Sequence, residues 1–174
     1  MKYEVFGGFE IPRKPHKRSV VDTRDRYGFW WEVDAAKPGL CYARGCYVFA
    51  LRQRGGSVIP WYVGKTSRQT FYKECFGSHK LVYYNDVIAG QHGVPLLYLI
   101  ARTTPNGKFT ASVPESEADF LESMLIGRAL QRNKELKNVT RASFLKRLHV
   151  PGLVNPTKGR PTPNVAEFIS LFNP

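Results

Sequence analysis

Two tyrosines in neighbouring apolar segments are the first residues of the chain that could do chemistry. Tyr47 lies in the segment GCYVF and Tyr62 lies in WYVGKT, where Gly64 and Lys65 follow. Leucine and valine would fill a core without a polar atom, whereas each phenol carries a hydroxyl that needs a hydrogen-bonding partner. The two tyrosines are therefore either packing residues or polar groups of a functional site.

A carboxylate inside a long helical segment is the third candidate. Residues 114–133 have the helical period, and Glu122 has Ala118 and Ala129 one and two turns away on the same face. An ionised carboxylate among small and apolar residues costs several kcal/mol unless it is paired or bound to a metal. Glu122 is therefore either the partner of a cation, such as Arg128, or a metal ligand.

The elements that carry these residues follow from the apolar pattern and the turn residues. Residues 46–52 and 58–63 are predicted strands, and Gly55-Gly56 supplies the turn between them. Pro60 cannot donate a backbone hydrogen bond, so we expect it at an unpaired edge or a bulge. The pattern further predicts two helices in 68–90, broken near Gly77-Ser78, a strand at 94–102 and a helix at 114–133. The predicted buried stripe of that last helix is Phe120, Leu121, Met124, Leu125 and Leu130.

Composition and charge favour one folded domain with a polyanionic partner. The 174 residues are 43% apolar, and the formal net charge is +12, which suits nucleic acid or an anionic membrane surface. No segment is apolar over the ~20 residues that a membrane span needs, and the N-terminus has no apolar signal core. Cys41, Cys46 and Cys75 form no close CxxC pair, so we expect a cytoplasmic protein with reduced thiols.

Both ends of the chain are basic. Residues 1–26 contain seven Lys and Arg, and the prolines among them predict an extended arm or a surface wrap. The aromatic segment FWWEV at 29–33 predicts a short strand or a packing anchor. Residues 128–160 contain nine Lys and Arg and one acidic residue, Glu135. We expect this run to contact nucleic-acid phosphates.

Taken in order, GCYVF, WYVGKT and a helix bearing LESMLI resemble the GIY-YIG nuclease domain. The tripeptides at 46–48 and 62–64 correspond to its two signature motifs, and the resemblance covers about residues 42–138. It implies an α+β fold with a small three-stranded antiparallel sheet flanked by helices. It also implies metal-dependent hydrolysis of phosphodiester bonds in DNA, with RNA as the alternative substrate. Residues 1–41 and 139–174 would then be basic N- and C-terminal extensions, the second one packed on the domain.

The resemblance also implies roles for particular residues. Glu122 would bind Mg²⁺ or Mn²⁺, because one carboxylate suffices where waters and a substrate phosphate complete the coordination. Tyr47 and His79 would activate water, and Gly64 would let the backbone approach the phosphate. Tyr62, Lys65 and Lys73 would bind the phosphate. The family's asparagine would be Asn138, with Asn133 as the alternative.

One family feature is missing from the chain. GIY-YIG enzymes carry an arginine in the helix after the second tripeptide, where this chain offers Lys73, Glu74 and Cys75. Lys73 would supply charge but not the two-pronged donor of arginine. The alternative to a nuclease is therefore a degenerate domain that binds nucleic acid without cutting it.

Overall fold

A computed structural model of the chain describes residues 2–14, 19, 26–138, 143, 147–148, 150 and 161–171. Its elements are β1 (Lys2–Glu10), α1 (Arg26–Ala36), β2 (Gly45–Arg52), β3 (Val58–Thr66), α2 (Phe71–Glu74), α3 (Ser78–Gly90), β4 (Val94–Thr103), α4 (Glu115–Arg132) and α5 (Pro163–Ser170). A single 3-10 turn at Leu40–Tyr42 follows α1. The fold is α+β, as predicted.

The sheet has four antiparallel strands in the order β1-β4-β2-β3, so the predicted three-stranded sheet is wrong by one strand. The additional strand, β1, comes from the segment predicted as an extended arm, and it pairs with β4 from Lys2↔Thr103 to Glu10↔Leu96. Charged residues and an exposed Val5 interrupt the apolar pattern of β1. Such interruptions are typical of an edge strand, which only one neighbour covers.

The aromatic segment at 29–33 lies in a helix, α1, so the strand prediction is wrong and the packing prediction is confirmed. Phe29, Trp30 and Val33 are all buried. The Phe29 ring packs edge to face on Trp30, with centroids 5.0 Å apart, and on Phe76, with centroids 5.1 Å apart. This part of the predicted N-terminal extension, 1–41, therefore contributes to the core.

The β2–β3 hairpin and the helix pair that follows it agree with the predictions. Phe49 pairs with Tyr62 and Ala50 pairs with Pro60, which leaves Trp61 as an extra residue on β3. Pro60 thus borders a bulge, as expected of a residue that cannot donate to the ladder. Helices α2 and α3 are separated at residues 75–77, and α3 ends at Gly90.

Helices cover both faces of the sheet. Tyr47, Phe49 and Tyr62 point into the core that contains α1, α2 and α3. Val48 and Val63, one residue further along each strand, point to the other face, where they pack on α4. Because successive side chains of a strand alternate between faces, α3 and α4 flank the outer strand β3 from opposite sides.

The orientation of α4 differs from the predicted one. Phe120 is 69% exposed and Met124 is 51% exposed, so both were wrongly assigned to the buried stripe. The buried residues are Ala118, Ile126, Ala129 and Leu130. The small alanines let the helix approach the sheet closely, which the larger apolar residues would not. Glu122 is one helical turn from Ala118 and from Ile126. In the observed orientation of α4 it therefore lies on the side that faces the sheet.

The segment after α4, residues 133–138, covers the outer edge of β3 and is named the edge strap here. Asn133 Nδ2 donates a hydrogen bond to the Pro60 carbonyl at 2.8 Å. Asn138 binds the peptide groups of Val63 in both directions: its Oδ1 accepts from the amide at 2.9 Å, and its Nδ2 donates to the carbonyl at 2.6 Å. The strap therefore satisfies backbone groups that an edge strand would otherwise leave to water.

Most of the predicted C-terminal extension, 139–174, lies outside the described residues. Within it, the amphipathic segment at the end of the chain forms α5, which has no buried residue. All three cysteines are buried. Across the residues that the structure describes, no helix has the length and apolar character needed to cross a bilayer.

Candidate functional site

Tyr62 lies on β3 with its hydroxyl beside an ammonium group. Lys80 Nζ donates a hydrogen bond to Tyr62 Oη at 3.0 Å and lies 5.3 Å from the centroid of the ring. The same nitrogen lies 3.4 Å from Glu74 Oε1. Glu74 ends α2 and Lys80 is in the first turn of α3, so the break between these helices turns both side chains toward β3. Tyr62, Lys80 and Glu74 are named the Tyr62 cluster.

Burial is the largest influence on Tyr62, and it raises the pKa of the phenol. The hydrogen bond and the charge of Lys80 lower that pKa, whereas the charges of Glu122 and, to a smaller extent, Glu74 raise it further. Together these effects leave the pKa of Tyr62 above its ordinary value, so Tyr62 keeps its proton at neutral pH. Because its oxygen already accepts from Lys80, the hydroxyl can donate that proton to an anionic ligand.

Lys80 is the cation of the site, and the sequence reasoning missed it. Burial lowers its pKa, but the hydrogen bond to Tyr62 and the charge of Glu74 outweigh burial, and the net pKa is raised. Only 12% of the side chain is exposed. Lys80 therefore holds a fixed positive charge close to the phenol. The sequence feature that could have identified Lys80 is its position one helical turn after the break at Gly77.

The charge of Glu122 acts on the Tyr62 phenol. Its helix packs on the face opposite the tyrosine rings. Its charge nevertheless raises the pKa of Tyr62, as the charge of Glu74 also does. The Glu122 carboxylate therefore acts electrostatically on the Tyr62 phenol from a helix on the other face of the sheet.

Lys65 is held by acidic residues of α4. Its ammonium pairs with Glu115 and, at 2.9 Å, with Asp119. Burial lowers the pKa of Lys65, but the hydrogen bonds to Glu115 and Asp119 outweigh it and the net pKa is raised. Ser67 Oγ also donates to Glu115, at 2.9 Å. Two carboxylates thus neutralise the charge that was predicted to bind phosphate, and Lys65 ties α4 to the end of β3.

A cavity of about 180 Å³ opens where β3 ends. Its lining comprises Lys65, Thr66, Ser67, Arg68, Gln69 and Glu74. It therefore connects the Lys65 end of β3 with the Tyr62 cluster, and the Arg68 side chain stands 87% exposed at this place. A larger cavity of about 470 Å³, lined by Glu10, Arg13 and Glu32 among others, contains none of the predicted site residues.

Tyr47 is fully buried, with its ring centroid 6.2 Å from that of Tyr62. Its hydroxyl has no hydrogen-bond partner among the described residues, and burial raises its pKa well above the ordinary value. A β-carbon at Gly64 would lie 2.3 Å from Tyr47 Cζ. Gly64 therefore makes room for the Tyr47 ring, and the Tyr47 hydroxyl does not reach solvent. The approach of a phosphate to Gly64 stays a prediction.

The remaining predicted residues do not join the Tyr62 cluster. Lys73 and His79 are exposed, and within the described parts of the chain neither side chain makes a hydrogen bond or an ion pair. Successive helical residues differ in direction by about 100°, so Lys80 faces β3 while His79 faces solvent. Asn138 is occupied by the backbone of Val63 and Asn133 by that of Pro60. Both asparagines thus hold the edge strap.

The donors near Tyr62 fit a divalent ion that takes few protein ligands. No group of three or more His, Cys, Asp or Glu side chains converges within the described residues. Mg²⁺ commonly uses one or two carboxylates and completes its octahedron with waters and substrate phosphate. Glu122 is a hard oxygen donor of this kind, and it is the residue that would hold the ion.

Comparison of the chain with protein-family models, with curated proteins and with solved structures finds no match. The observations that bear on function are therefore those of the chain itself. They are the order of the two tripeptides and the glutamate helix, the contacts of the Tyr62 cluster, and the effect of the Glu122 charge on the Tyr62 phenol.

Proposed function

We propose that the protein is a divalent-metal-dependent endonuclease of the GIY-YIG type that hydrolyses phosphodiester bonds in DNA, with RNA as the alternative substrate. The observation that carries the proposal is the hydrogen bond from the Lys80 ammonium to the Tyr62 hydroxyl on β3, a phenol on which the charge of Glu122 also acts. These groups come from three elements far apart in the chain. Phosphodiester hydrolysis needs a hydrogen-bond donor, a cation and a metal-binding carboxylate in one place.

Each residue of this group has a role that its surroundings allow. Tyr62 is neutral and would donate its proton to a non-bridging phosphate oxygen instead of acting as a base. Lys80 would neutralise part of the phosphate charge and fix the direction of the Tyr62 hydroxyl. Tyr47 would position Tyr62 by packing beside its ring. When bound at Glu122, Mg²⁺ or Mn²⁺ supplies positive charge at the phosphate and acidifies a water molecule.

Lys80, rather than the predicted Lys73, takes the place of the family's arginine in this proposal. It contacts Tyr62 directly, whereas Lys73 points to solvent. An ammonium is a point charge with rotating donors, so it would not grip two phosphate oxygens in the fixed plane of a guanidinium. We therefore expect turnover to be slower than with an arginine at the same place.

Two observations favour a second candidate, a domain that binds nucleic acid without cutting it. The Tyr47 hydroxyl is buried away from solvent, and the charge of Lys65 is neutralised by Glu115 and Asp119. Tyr47 was expected to activate water and Lys65 to bind the phosphate. Tyr62 and Lys80 would then remain as a phosphate-binding pair.

Cleavage assays on wild type and two carboxylate variants test the proposal. Supercoiled plasmid, branched DNA and single-stranded RNA are incubated with Mg²⁺, Mn²⁺ or EDTA. We expect wild type to cut only with metal, and Glu122→Gln to lose cleavage while binding DNA at least as tightly, because a negative charge is removed. Glu135→Gln is the matched control, since Glu135 is exposed and outside the site, and it should cut like wild type.

The outcomes separate the two candidates. Full cleavage by pure Glu122→Gln protein would overturn the nuclease proposal. Salt-sensitive binding by wild type without cleavage of any substrate would favour the domain that only binds, because phosphate contacts alone release counterions.

A further inference from the structure

An exposed group of aromatic side chains lies outside the Tyr62 cluster. Tyr27 and Trp31 of α1 are 70% and 74% exposed, and Tyr42 is 67% exposed. The Tyr72 ring of α2 lies beside Tyr42, with the two ring centroids 6.4 Å apart, and burial and the neighbouring Tyr27 raise the pKa of the Tyr72 hydroxyl. These four residues are named the aromatic patch.

The fold holds this patch in place from beneath. Tyr27 and Trp31 are one helical turn apart on the same side of α1, and buried Trp30 lies between them in the chain. The Trp30 ring packs on Tyr72 with centroids 5.8 Å apart. Tyr42 ends the 3-10 turn whose other two residues, Leu40 and Cys41, are buried. The patch is therefore a set of exposed rings on a rigid support rather than a mobile loop.

The charges around the patch suit an anion. Arg26 is close enough to act on the Tyr72 hydroxyl, and exposed Lys73 follows Tyr72 on the same helix. Among the residues of α1 that the structure describes, Asp34 is the acidic residue on this side, and its carboxylate accepts hydrogen bonds from the Gly39 amide at 2.8 Å and from Cys41 Sγ at 3.5 Å. Flat apolar faces bordered by cations are the features that bind unpaired nucleotides, whose bases stack while their phosphates meet positive charge.

The patch also lies close to the proposed catalytic residues. Tyr72 and Glu74 are two residues apart on α2, where Tyr72 joins the patch and Glu74 joins the Tyr62 cluster. A strand stacked on the patch would therefore need only to pass α2 to bring a phosphate to Lys80 and Tyr62.

We propose that the aromatic patch binds unpaired nucleotides by stacking, and that the preferred substrate carries a single-stranded segment beside the phosphate that is cut. The inference rests on nucleic acid being the partner in the proposed function, and it names the substrate class. The binding of unpaired nucleotides by the patch does not itself require that the chain cleaves.

Binding measured in EDTA tests the patch apart from cleavage. The probes are a labelled oligothymidine and a labelled duplex of equal length, and anisotropy reports the affinity. Trp31→Ala and Tyr42→Ala should each weaken binding of the single strand about 5- to 100-fold, the usual effect of losing one stacked base, while duplex binding changes little. Tyr42→Phe keeps the ring and should bind like wild type. Phe120→Ala is the matched control, because it removes an equally exposed ring on α4.

Unchanged single-strand affinity in both alanine variants would overturn the inference. An equal loss on duplex and single strand would also overturn it, because paired bases cannot stack on side chains. If Glu122→Gln cuts like wild type while the patch variants lose the single strand, the nuclease proposal fails and this inference stands. If cleavage depends on Glu122 but the patch variants bind normally, this inference alone fails.

Discussion

Tyr47 and Gly64 face each other across β2 and β3, and the Tyr47 ring fills the space that a side chain at position 64 would occupy. A β-carbon there would lie 2.3 Å from Tyr47 Cζ and 2.4 Å from its hydroxyl oxygen. Non-bonded atoms do not come this close, so a larger residue at position 64 forces the ring or the strand to move. The tyrosine and the glycine of the two signature tripeptides thus form one packing unit.

Gly64→Ala should therefore destabilise the protein. Overpacking a tight core costs about 1–3 kcal/mol in the free energy of unfolding, which urea unfolding measures. Gly127→Ala on α4 is the control, because a β-carbon there meets nothing within 4 Å, and alanine should stabilise that helix by about 1 kcal/mol. Equal stability of Gly64→Ala and wild type would contradict the packing described here.

Tyr47→Phe distinguishes packing from catalysis at this position. The change removes a buried hydroxyl without a partner and keeps the ring, so stability should be unchanged or rise by about 1 kcal/mol. Cleavage should persist. Tyr62→Phe, in contrast, removes the proposed donor to the phosphate and should slow cleavage about 100-fold or more. Loss of cleavage in a stable Tyr47→Phe protein would restore the catalytic role that the sequence predicted.

Lys80→Met removes the cation of the Tyr62 cluster, with Lys73→Met as the matched control. Because Lys80 lowers the pKa of Tyr62 against the effect of burial, its loss should raise that pKa further. Absorbance titration of tyrosinate, taken as the difference from the same protein with Tyr62→Phe, measures the shift. Cleavage by Lys80→Met should fall about 100-fold, while Lys73→Met should change neither quantity. Larger effects of Lys73→Met than of Lys80→Met on the Tyr62 pKa and on cleavage would point to Lys73 as the phosphate-binding cation.

The surroundings of Glu117 allow a prediction of how the stability of the protein changes in acid. Burial raises the pKa of its carboxyl, but the hydrogen bond from Arg102 Nε at 2.9 Å and the charge of Arg102 lower it, and together these effects leave the pKa below 4.5. The folded form thus holds the proton less tightly than the unfolded form. Its contribution is present above pH 4.5 and is lost as the pH falls through the folded-state pKa. Glu117→Gln should lower Tm at neutral pH and reduce the loss of Tm on acidification, as measured by calorimetry.

The sequence was sufficient where the signals were local. Gly55-Gly56 marked the turn of the hairpin, Pro60 marked the bulge, and Gly77-Ser78 marked the break between α2 and α3. Each of these residues restricts or frees the backbone by its own chemistry, whatever surrounds it. Glu122 was singled out by the small residues on its face of the helix, and one of them, Ala129, packs on the sheet with Val63; the role of Glu122 stays a prediction.

The sequence was insufficient where contacts with residues far along the chain decide the local structure. The strand β1 exists because β4 pairs with it, and the aromatic segment of α1 is helical because Phe29 and Trp30 meet Phe76. Lys80 was missed in favour of His79 because the direction of a helical side chain depends on where the helix starts. An error of one residue turns that direction by about 100°.

Asn138 has a consequence for the association of copies of the chain. Its amide occupies both peptide groups of Val63 on the outer side of β3. With that amide removed, as in Asn138→Ala, β3 would present a hydrogen-bonding edge on which a strand of another molecule could form. We expect such a variant to oligomerise and then precipitate at concentrations where wild type stays dispersed. Asn138, which the resemblance placed in the catalytic site, would in this way prevent strands of other molecules from adding to β3.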